Sequence, residues 1–73
     1  MIQYLGQVEA EIAYVPAYSV GHAWGTTDHP GRWTVIVSMS SGERFQSWGL
    51  SKERAIKATE AAMKADGKIA RII

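Results

Sequence analysis

The clearest pattern of hydrophobic and polar positions in this chain predicts a strand, a tight turn and a second strand. Apolar side chains recur at every second position from Trp33 to Met39, as in a strand with one buried face. The turn that follows contains Gly42, which can adopt the positive φ angle that tight hairpin turns need. The partner strand is predicted from Arg44 to Trp48. This segment is therefore a β-hairpin.

An amphipathic helix is predicted directly after the hairpin. Ser51 is its expected N-cap, because a serine hydroxyl can accept a hydrogen bond from a backbone amide of the first turn. Glu53 in that turn complements the helix dipole, and the helix should run to about Asp66 and stop at Gly67. The side chains of its predicted buried stripe are Ala55, Ile56, Thr59, Ala62 and Met63.

The first fifteen residues carry a more ambiguous pattern. Alternation from Ile2 to Val15 predicts a half-buried strand, whereas apolar residues three and four apart also fit a helix. Gly6 would cost such a helix about 1 kcal/mol relative to alanine. We expect a strand with a break or strong bend near Gly6, and a helix followed by a strand is the alternative.

Three further segments complete the predicted fold. Residues 18–24 predict a short strand, residues 25–32 (GTTDHPGR) a loop rich in turn-forming residues, and residues 69–73 a last strand. The expected fold class is α+β, with a small antiparallel sheet of about four to five strands and one helix packed on a face (β-β-β-β-α-β). The length predicts a single domain, residues 1–73.

Composition narrows the class of protein. The apolar fraction of 47% and charged fraction of 21% are those of a globular domain, and the lack of cysteine excludes disulfides and thiolate zinc sites. The N-terminus has no basic segment leading into an apolar run, and no stretch approaches the roughly 20 apolar residues of a membrane span. We therefore expect a cytoplasmic protein that does not contact a membrane. The net charge of +1 means that nucleic-acid binding would need a local basic patch.

No motif of catalysis, cofactor binding or metal binding stands in the sequence. His22 and His29 are the only histidines, and their spacing matches no zinc motif. The glycines lack the spacing of a phosphate-binding loop, and no G-x-S-x-G is present. We expect no enzyme, no cofactor and no metal.

Two features point instead to a macromolecular partner. Basic side chains lie on the side of the helix opposite its buried stripe, where they can meet phosphates or an acidic protein, although a solvated helix face shows the same pattern. Three tryptophans and three tyrosines are many for 73 residues, and an exposed one can anchor a partner. The candidate partner-binding residues are His29, Arg32, Lys52, Arg54, Lys57, Lys64, Trp24 and Trp48.

Residues 29–63 resemble the β-β-α half of the double-stranded RNA-binding domain. His29 stands at the family's interval before the strand-opening Trp33, and the segment 49–57 is similar to the family's Gly-x-Ser-Lys-Lys-x-Ala-Lys helix start. The matching positions of that segment are Gly49, Ser51, Lys52 and Ala55. Glu53 and Ile56 stand where the family has its second and third lysines. The DNA-reading three-stranded sheets of the AP2 type have a similar architecture.

The resemblance implies RNA binding in which His29 is a loop contact and Lys52 a phosphate contact. The many aromatic side chains, the low net charge and the possible edge strands lead us to expect a small non-enzymatic protein that acts by protein–protein interaction. Small cysteine-free α+β proteins are often accessory or inhibitor proteins of the phage or mobile-element type, and this association suggests the same role here. The alternative is a module that binds duplex nucleic acid, similar to the RNA-binding domain or to AP2, through the basic helix start and the residue 25–32 loop. A further expectation is homodimerisation through the edge of the last strand, because so small a core gains from extra burial.

Overall fold

The computed structural model describes all 73 residues and has an α+β fold. Six strands precede the single helix and one strand follows it. The elements are β1 (Gln3–Val8), β2 (Glu11–Val15), β3 (Tyr18–His22), β4 (Gly25–His29), β5 (Arg32–Ser38), β6 (Arg44–Gly49), α1 (Lys52–Ala65) and β7 (Lys68–Ile72). The predicted class and the single helix packed on a sheet are confirmed, although the strands form three small sheets.

The core lies between α1 and the antiparallel sheet β2-β5-β6. Side chains alternate along β5, so that Val35 and Val37 face the helix and are fully buried. The helix contributes Ala55, Thr59 and Met63, which recur once per turn and are also fully buried. Only seven of the 73 residues are buried, so this core is small even for a chain of this length.

The junction between β6 and α1 confirms the predicted helix start. The backbone N–H of Arg54 donates to the Ser51 hydroxyl at 3.2 Å, which is the expected N-cap bond. Gly49 ends β6 close against this first turn, and a Cβ atom at Gly49 would lie 2.8 Å from the backbone nitrogen of Ala55. Glycine is therefore needed where the strand meets the helix.

Strand β7 pairs with β1 in parallel, which corrects the expectation that the last strand joins an antiparallel sheet. The backbone N–H of Ile73 donates to Val8 of β1 at 3.1 Å. The N–H of the preceding Ile72 points to the opposite edge, where it donates to the Glu60 carboxylate of α1 at 2.9 Å. The helix thus satisfies a backbone group on the outer edge of β7.

The N-terminal segment consists of two strands, and the alternative of a helix is wrong. The two strands are divided at residues 9–10, and the break or bend expected near Gly6 takes the form of an irregularity within β1. Gly6 has a φ angle of 69° and sits at an irregularity in the pairing of β1 with β7. Leu5 packs against the core while Tyr4 is 79% exposed, so the simple alternation predicted for this segment does not hold across the irregularity.

The loop predicted at residues 25–32 is wrong over most of its length, because residues 25–29 form β4. Strands β3 and β4 continue the pairing of β2 with β5 in one register: Val15 lies opposite Arg32, and Tyr18 lies opposite His29. Prolines at positions 16 and 30 interrupt the ladder between the two pairs, since proline has no N–H to donate. The result is one long hairpin, whose distal part, residues 18–29, we call the arm.

The arm makes the molecule elongated. The radius of gyration is 15.1 Å, against about 11 Å for a compact domain of this length. The principal extents are 49 × 20 × 18 Å. The single helix is too short and too polar to cross a lipid bilayer.

Candidate interaction surface

The arm has two unlike faces, because side chains alternate across a two-stranded ladder. One face, which we call the aromatic face, carries Tyr18, Val20, His22, Thr27 and His29. The other face carries small or polar side chains, among them Ser19, Thr26 and Asp28. Every residue of the arm except His29 is exposed. The arm therefore has the amphipathic pattern of a half-buried ribbon without any part of the chain packed on it.

Contacts across the ladder hold the arm in shape. On the aromatic face, the rings of Tyr18 and His29 stack with their centroids 4.6 Å apart and their planes 16° from parallel. On the opposite face, the Ser19 hydroxyl donates to the Asp28 carboxylate at 2.6 Å. These are local cross-strand interactions, and they fix the register without supplying a core.

The tip of the arm is a two-residue turn that presents Trp24 to solvent. The backbone N–H of Trp24 donates to Nδ1 of His22 at 3.3 Å, while Nε2 of His22 lies 2.9 Å from the Thr27 hydroxyl. Because Nδ1 accepts, Nε2 carries the ring proton and donates to Thr27. The Trp24 side chain is 89% exposed, which makes it the most exposed aromatic group of the chain.

The same side of the hairpin leads from the arm, past Pro16 and Gly31, into the core. Tyr14 and Trp33 lie opposite each other on the same side of the hairpin, with ring centroids 5.3 Å apart. The Tyr14 ring covers Gly31, where any Cβ atom would collide with it. The next pair towards the helix is Ile12 and Val35, which pack in the core. The apolar side of the hairpin thus runs from beneath the helix to the arm tip, and the helix covers only its first part.

Formal charge is almost absent from the hairpin. Between residues 12 and 35 the only carboxylate is Asp28 and the only guanidinium or amine is Arg32. Both alternate onto the side opposite the aromatic face. The remaining Lys, Arg, Asp and Glu side chains of the chain lie outside this hairpin, so the aromatic face carries none of them.

The predicted basic residues of the helix lie away from the arm surface. Arg54, Lys57 and Lys64 are exposed, share one side of α1 by helical geometry, and make no ion pair. Lys52 is also exposed and unpaired. Because Lys52 precedes Arg54 by two residues, its side chain projects about 200° around the helix axis from that of Arg54. Three of the four predicted cations are therefore co-facial.

Lys68, which flanks this group in the sequence, has a structural role instead. Its ammonium group donates to Asp66 and forms an ion pair with Glu43, both at 2.9 Å, and its side chain is only 13% exposed. The hydrogen bond from Lys68 lowers the pKa of Asp66 below its ordinary value of 3.8. The bonds to Asp66 and Glu43 raise the pKa of Lys68 above its ordinary value of 10.5. Lys68 thereby ties β7 to the β5–β6 turn.

The remaining predicted residues divide between two places. Trp24 and His29 belong to the arm, as described above. Arg32 and Trp48 meet on the face of the β2-β5-β6 sheet that the helix leaves open, with the guanidinium carbon 5.7 Å from the centre of the indole ring. Trp48 is 60% exposed, and Nε of Arg32 is buried without a hydrogen-bond partner. Seven of the eight predicted residues therefore form three separate groups, and Lys52 lies apart from all of them.

Sequence reasoning missed the members of the aromatic face other than His29. The available signal was the recurrence of Tyr14, Tyr18, Val20 and His22 on alternate positions, which one proline and one glycine between them obscured. The match in register between the two halves of the hairpin is visible only in the structure.

Comparison of the chain with models of protein families, with curated proteins and with solved structures finds no match.

Proposed function

We propose that this chain is a small non-enzymatic protein-binding module and that the arm is its contact surface. The observation that carries the proposal is the aromatic face, which alternates like a packed strand but has nothing packed on it. In antiparallel sheets with this alternation, the apolar side is the side that packs against other groups. A surface rich in aromatic groups and poor in charge also has the composition of the central part of protein interfaces.

Tyr18 and Trp24 are the anchors that this surface offers. They are 45% and 89% exposed, and each has few rotatable bonds to order on binding. Covering a tryptophan removes up to about 200 Å² of surface from water, which corresponds to about 5 kcal/mol before the costs of association. A few such contacts suffice for a specific complex.

The size of the chain and its near-neutral charge suit an accessory or inhibitor protein, the class to which many phage and mobile-element proteins belong. Such a protein acts by occupying a partner's surface, and a sequence without a recognisable catalytic or cofactor-binding motif suits that role. A cytoplasmic location is part of the proposal, because a chain without cysteine is suited to a reducing compartment.

The test is capture of partner proteins by the immobilised chain from lysate of cells that naturally produce it, before and after nuclease treatment. The arm variant is Tyr18→Ser combined with Trp24→Ser. The control is Tyr4→Ser, which removes an aromatic group that is 79% exposed but lies on β1, away from the arm. Any captured protein is then purified and its affinity for each variant is measured by calorimetry.

We expect the arm variant to lose at least tenfold in affinity for a purified partner, and the control to keep it, with nuclease having no effect. Equal capture by the arm variant and the wild type would contradict the proposal. Loss of capture after nuclease treatment would show that the ligand is a nucleic acid. Circular dichroism of each variant establishes that the body of the fold is intact.

Binding of duplex nucleic acid is the second candidate, favoured by the three unpaired cations on one side of α1. The matching variant replaces Arg54, Lys57 and Lys64 with alanine, a strong helix former that keeps the exposed helix intact. If these side chains neutralise three phosphates, the slope of log affinity against log salt should fall by about 2.7 in the variant. Absence of salt-dependent binding to short duplex RNA and DNA would exclude this candidate.

A further inference from the structure

We infer that the partner covering the aromatic face is a second copy of this chain, so that the arms of two protomers stack face to face. The inference rests on the proposed function, because it uses the same surface, and it names the occupant. It differs from pairing through the edge of β7, because part of that edge is already occupied by the Glu60 carboxylate.

The exposed area of the chain is the first argument. The accessible surface is 5395 Å² for a mass of 8.0 kDa. A compact monomer of that mass exposes about 4,450 Å². The excess of roughly 900 Å² is close to the approximately 800 Å² that each partner buries in a standard protein interface. Contact between two copies through their arms would lower the accessible surface area of each chain to about that of a compact globular monomer.

The marginal stability of the arm is the second argument. An isolated two-stranded ribbon is marginally stable at best in water, and this one is separated from the body by a break in its ladder at two prolines. Beyond the backbone ladder, its internal contacts are the Tyr18–His29 stack, a tilted contact between the rings of His22 and Trp24, and three hydrogen bonds that involve side chains. A second ribbon packed on the aromatic face supplies the missing layer, as in a sheet-on-sheet core.

Charge is the third argument, because a two-fold contact brings each surface against its own copy. A face with a net charge would repel its copy, but the aromatic face carries no carboxylate, amine or guanidinium. Asp28 and Arg32 lie on the outer side of the hairpin, and the basic side of α1 belongs to the body. Contact of the aromatic face with its own copy therefore brings no carboxylate, amine or guanidinium group of one face against that of the other.

The positions along the hairpin are also self-complementary. Ser19 lies five residues from Trp24 at the tip and five residues from Tyr14 at the base. If two arms stack in opposite directions about an axis near Ser19, Trp24 of each copy reaches the level of the partner's Tyr14 and the partner's Trp33. The most exposed aromatic group thus meets the tilted aromatic pair, and Tyr18 and Val20 lie near the axis.

The first measurement is the mass of the full chain by sedimentation equilibrium, from micromolar to millimolar concentration. We expect the mass to rise towards twice 8.0 kDa in the wild type and in the Tyr4→Ser control. The variant Tyr18→Ser with Val20→Ser should stay monomeric, with its dissociation constant raised at least a hundredfold. The inference would be overturned by a wild type that stays monomeric throughout. It would also be overturned if Tyr18→Ser with Val20→Ser dimerises like the wild type.

Cross-linking provides a second readout that does not require the aromatic groups to be removed. The chain has no cysteine, so a single one reports one position. Val20→Cys, near the proposed axis, should form a covalent dimer with a short bis-maleimide, whereas Gln46→Cys on the open face of the β2-β5-β6 sheet should not. Equal cross-linking at both positions, or none at Val20→Cys, would count against stacked arms.

The two proposals can fail separately. A wild type that stays monomeric but captures a different protein through its arm refutes the second copy as occupant and supports the protein-binding function. A dimer that depends on the arm and captures no other protein supports the inference and restricts the arm to self-association. Both proposals are refuted if Tyr18→Ser with Trp24→Ser captures proteins like the wild type and Tyr18→Ser with Val20→Ser dimerises like the wild type.

Discussion

The hydrogen bond between Glu60 and Ile72 gives a sharp test of how the helix holds the last strand. The Glu60 carboxylate of α1 accepts the backbone N–H of Ile72 at 2.9 Å, and Ile72 is only 8% exposed. Replacing Glu60 with alanine leaves that N–H on the outer edge of β7 without a protein partner. Because water reaches this edge poorly, we expect the variant to lose stability in the folded state.

The magnitude follows from the kind of bond. A hydrogen bond to a charged group is worth about 1.5 to 3 kcal/mol, and since the carboxylate is partly exposed we expect about 2 kcal/mol. A domain of this length has a total stability of roughly 4 to 11 kcal/mol, so the loss is a large share of it. With an unfolding entropy of about 2.1 cal/mol/K per residue, the same loss lowers Tm by about 13 °C. Alanine favours the helix slightly, so the measured loss is a lower bound on the contribution of the bond.

The assay is urea unfolding of Glu60→Ala, Glu60→Gln and the wild type, followed by circular dichroism at one fixed protein concentration, since association would shift the apparent stability. Glutamine keeps an acceptor oxygen, so Glu60→Gln should lose less than half as much as Glu60→Ala. The reasoning would be refuted if the free energy of unfolding of Glu60→Ala lies within about 0.5 kcal/mol of that of the wild type. Equal losses in the two variants would show that the charge matters and the hydrogen bond does not.

Two further changes test other contacts of the body. Gly49→Ala places a methyl group 2.8 Å from the backbone nitrogen of Ala55, so we expect a loss of about 1 to 3 kcal/mol in the same assay. An unchanged midpoint would show that the strand end can move away from the helix. The lowered pKa of Asp66 contributes stability above its ordinary pKa of 3.8 that is lost as pH falls through the lowered value. The raised pKa of Lys68 contributes stability below its ordinary pKa of 10.5 that is lost as pH rises through the raised value. Lys68→Met should therefore have a flatter profile of stability against pH than the wild type at both extremes, and parallel profiles would contradict this assignment.

The elements that sequence predicted well are those fixed by local chemistry. Ser51 caps the helix because a serine hydroxyl at the N-cap lies within reach of the backbone N–H three residues later, here that of Arg54. Gly42 and Gly67 have φ angles of 94° and 79°, which is the property for which glycine is selected at a turn and after a helix. The alternation in β5 also predicted its buried side correctly, since Val35 and Val37 form the core.

The elements that sequence did not predict depend on partners distant in the chain. Residues 25–29 have the composition of a loop, and they form a strand only because β3 supplies backbone partners and the Tyr18–His29 stack. The parallel direction of β7 follows from the path of the helix and leaves no local pattern. For the candidate site, sequence proposed Trp24 and His29 as candidate contacts, whereas the face that contains His29 became visible only once the register of the hairpin was known.

The pairing of β1 with β7 also constrains the order in which the chain can fold. Gln3 lies opposite Lys68, so this ladder joins residues that are 65 positions apart. Closing so long a loop is slow, because its entropy is lost before any bond of the ladder is gained. The hairpins formed by β2 to β6 involve shorter loops and can form earlier. On a ribosome, β1 emerges before β7 and stays unpaired until β7 has been synthesised. During that interval the backbone edges of β1 and the side chain of Leu5 are exposed to other chains.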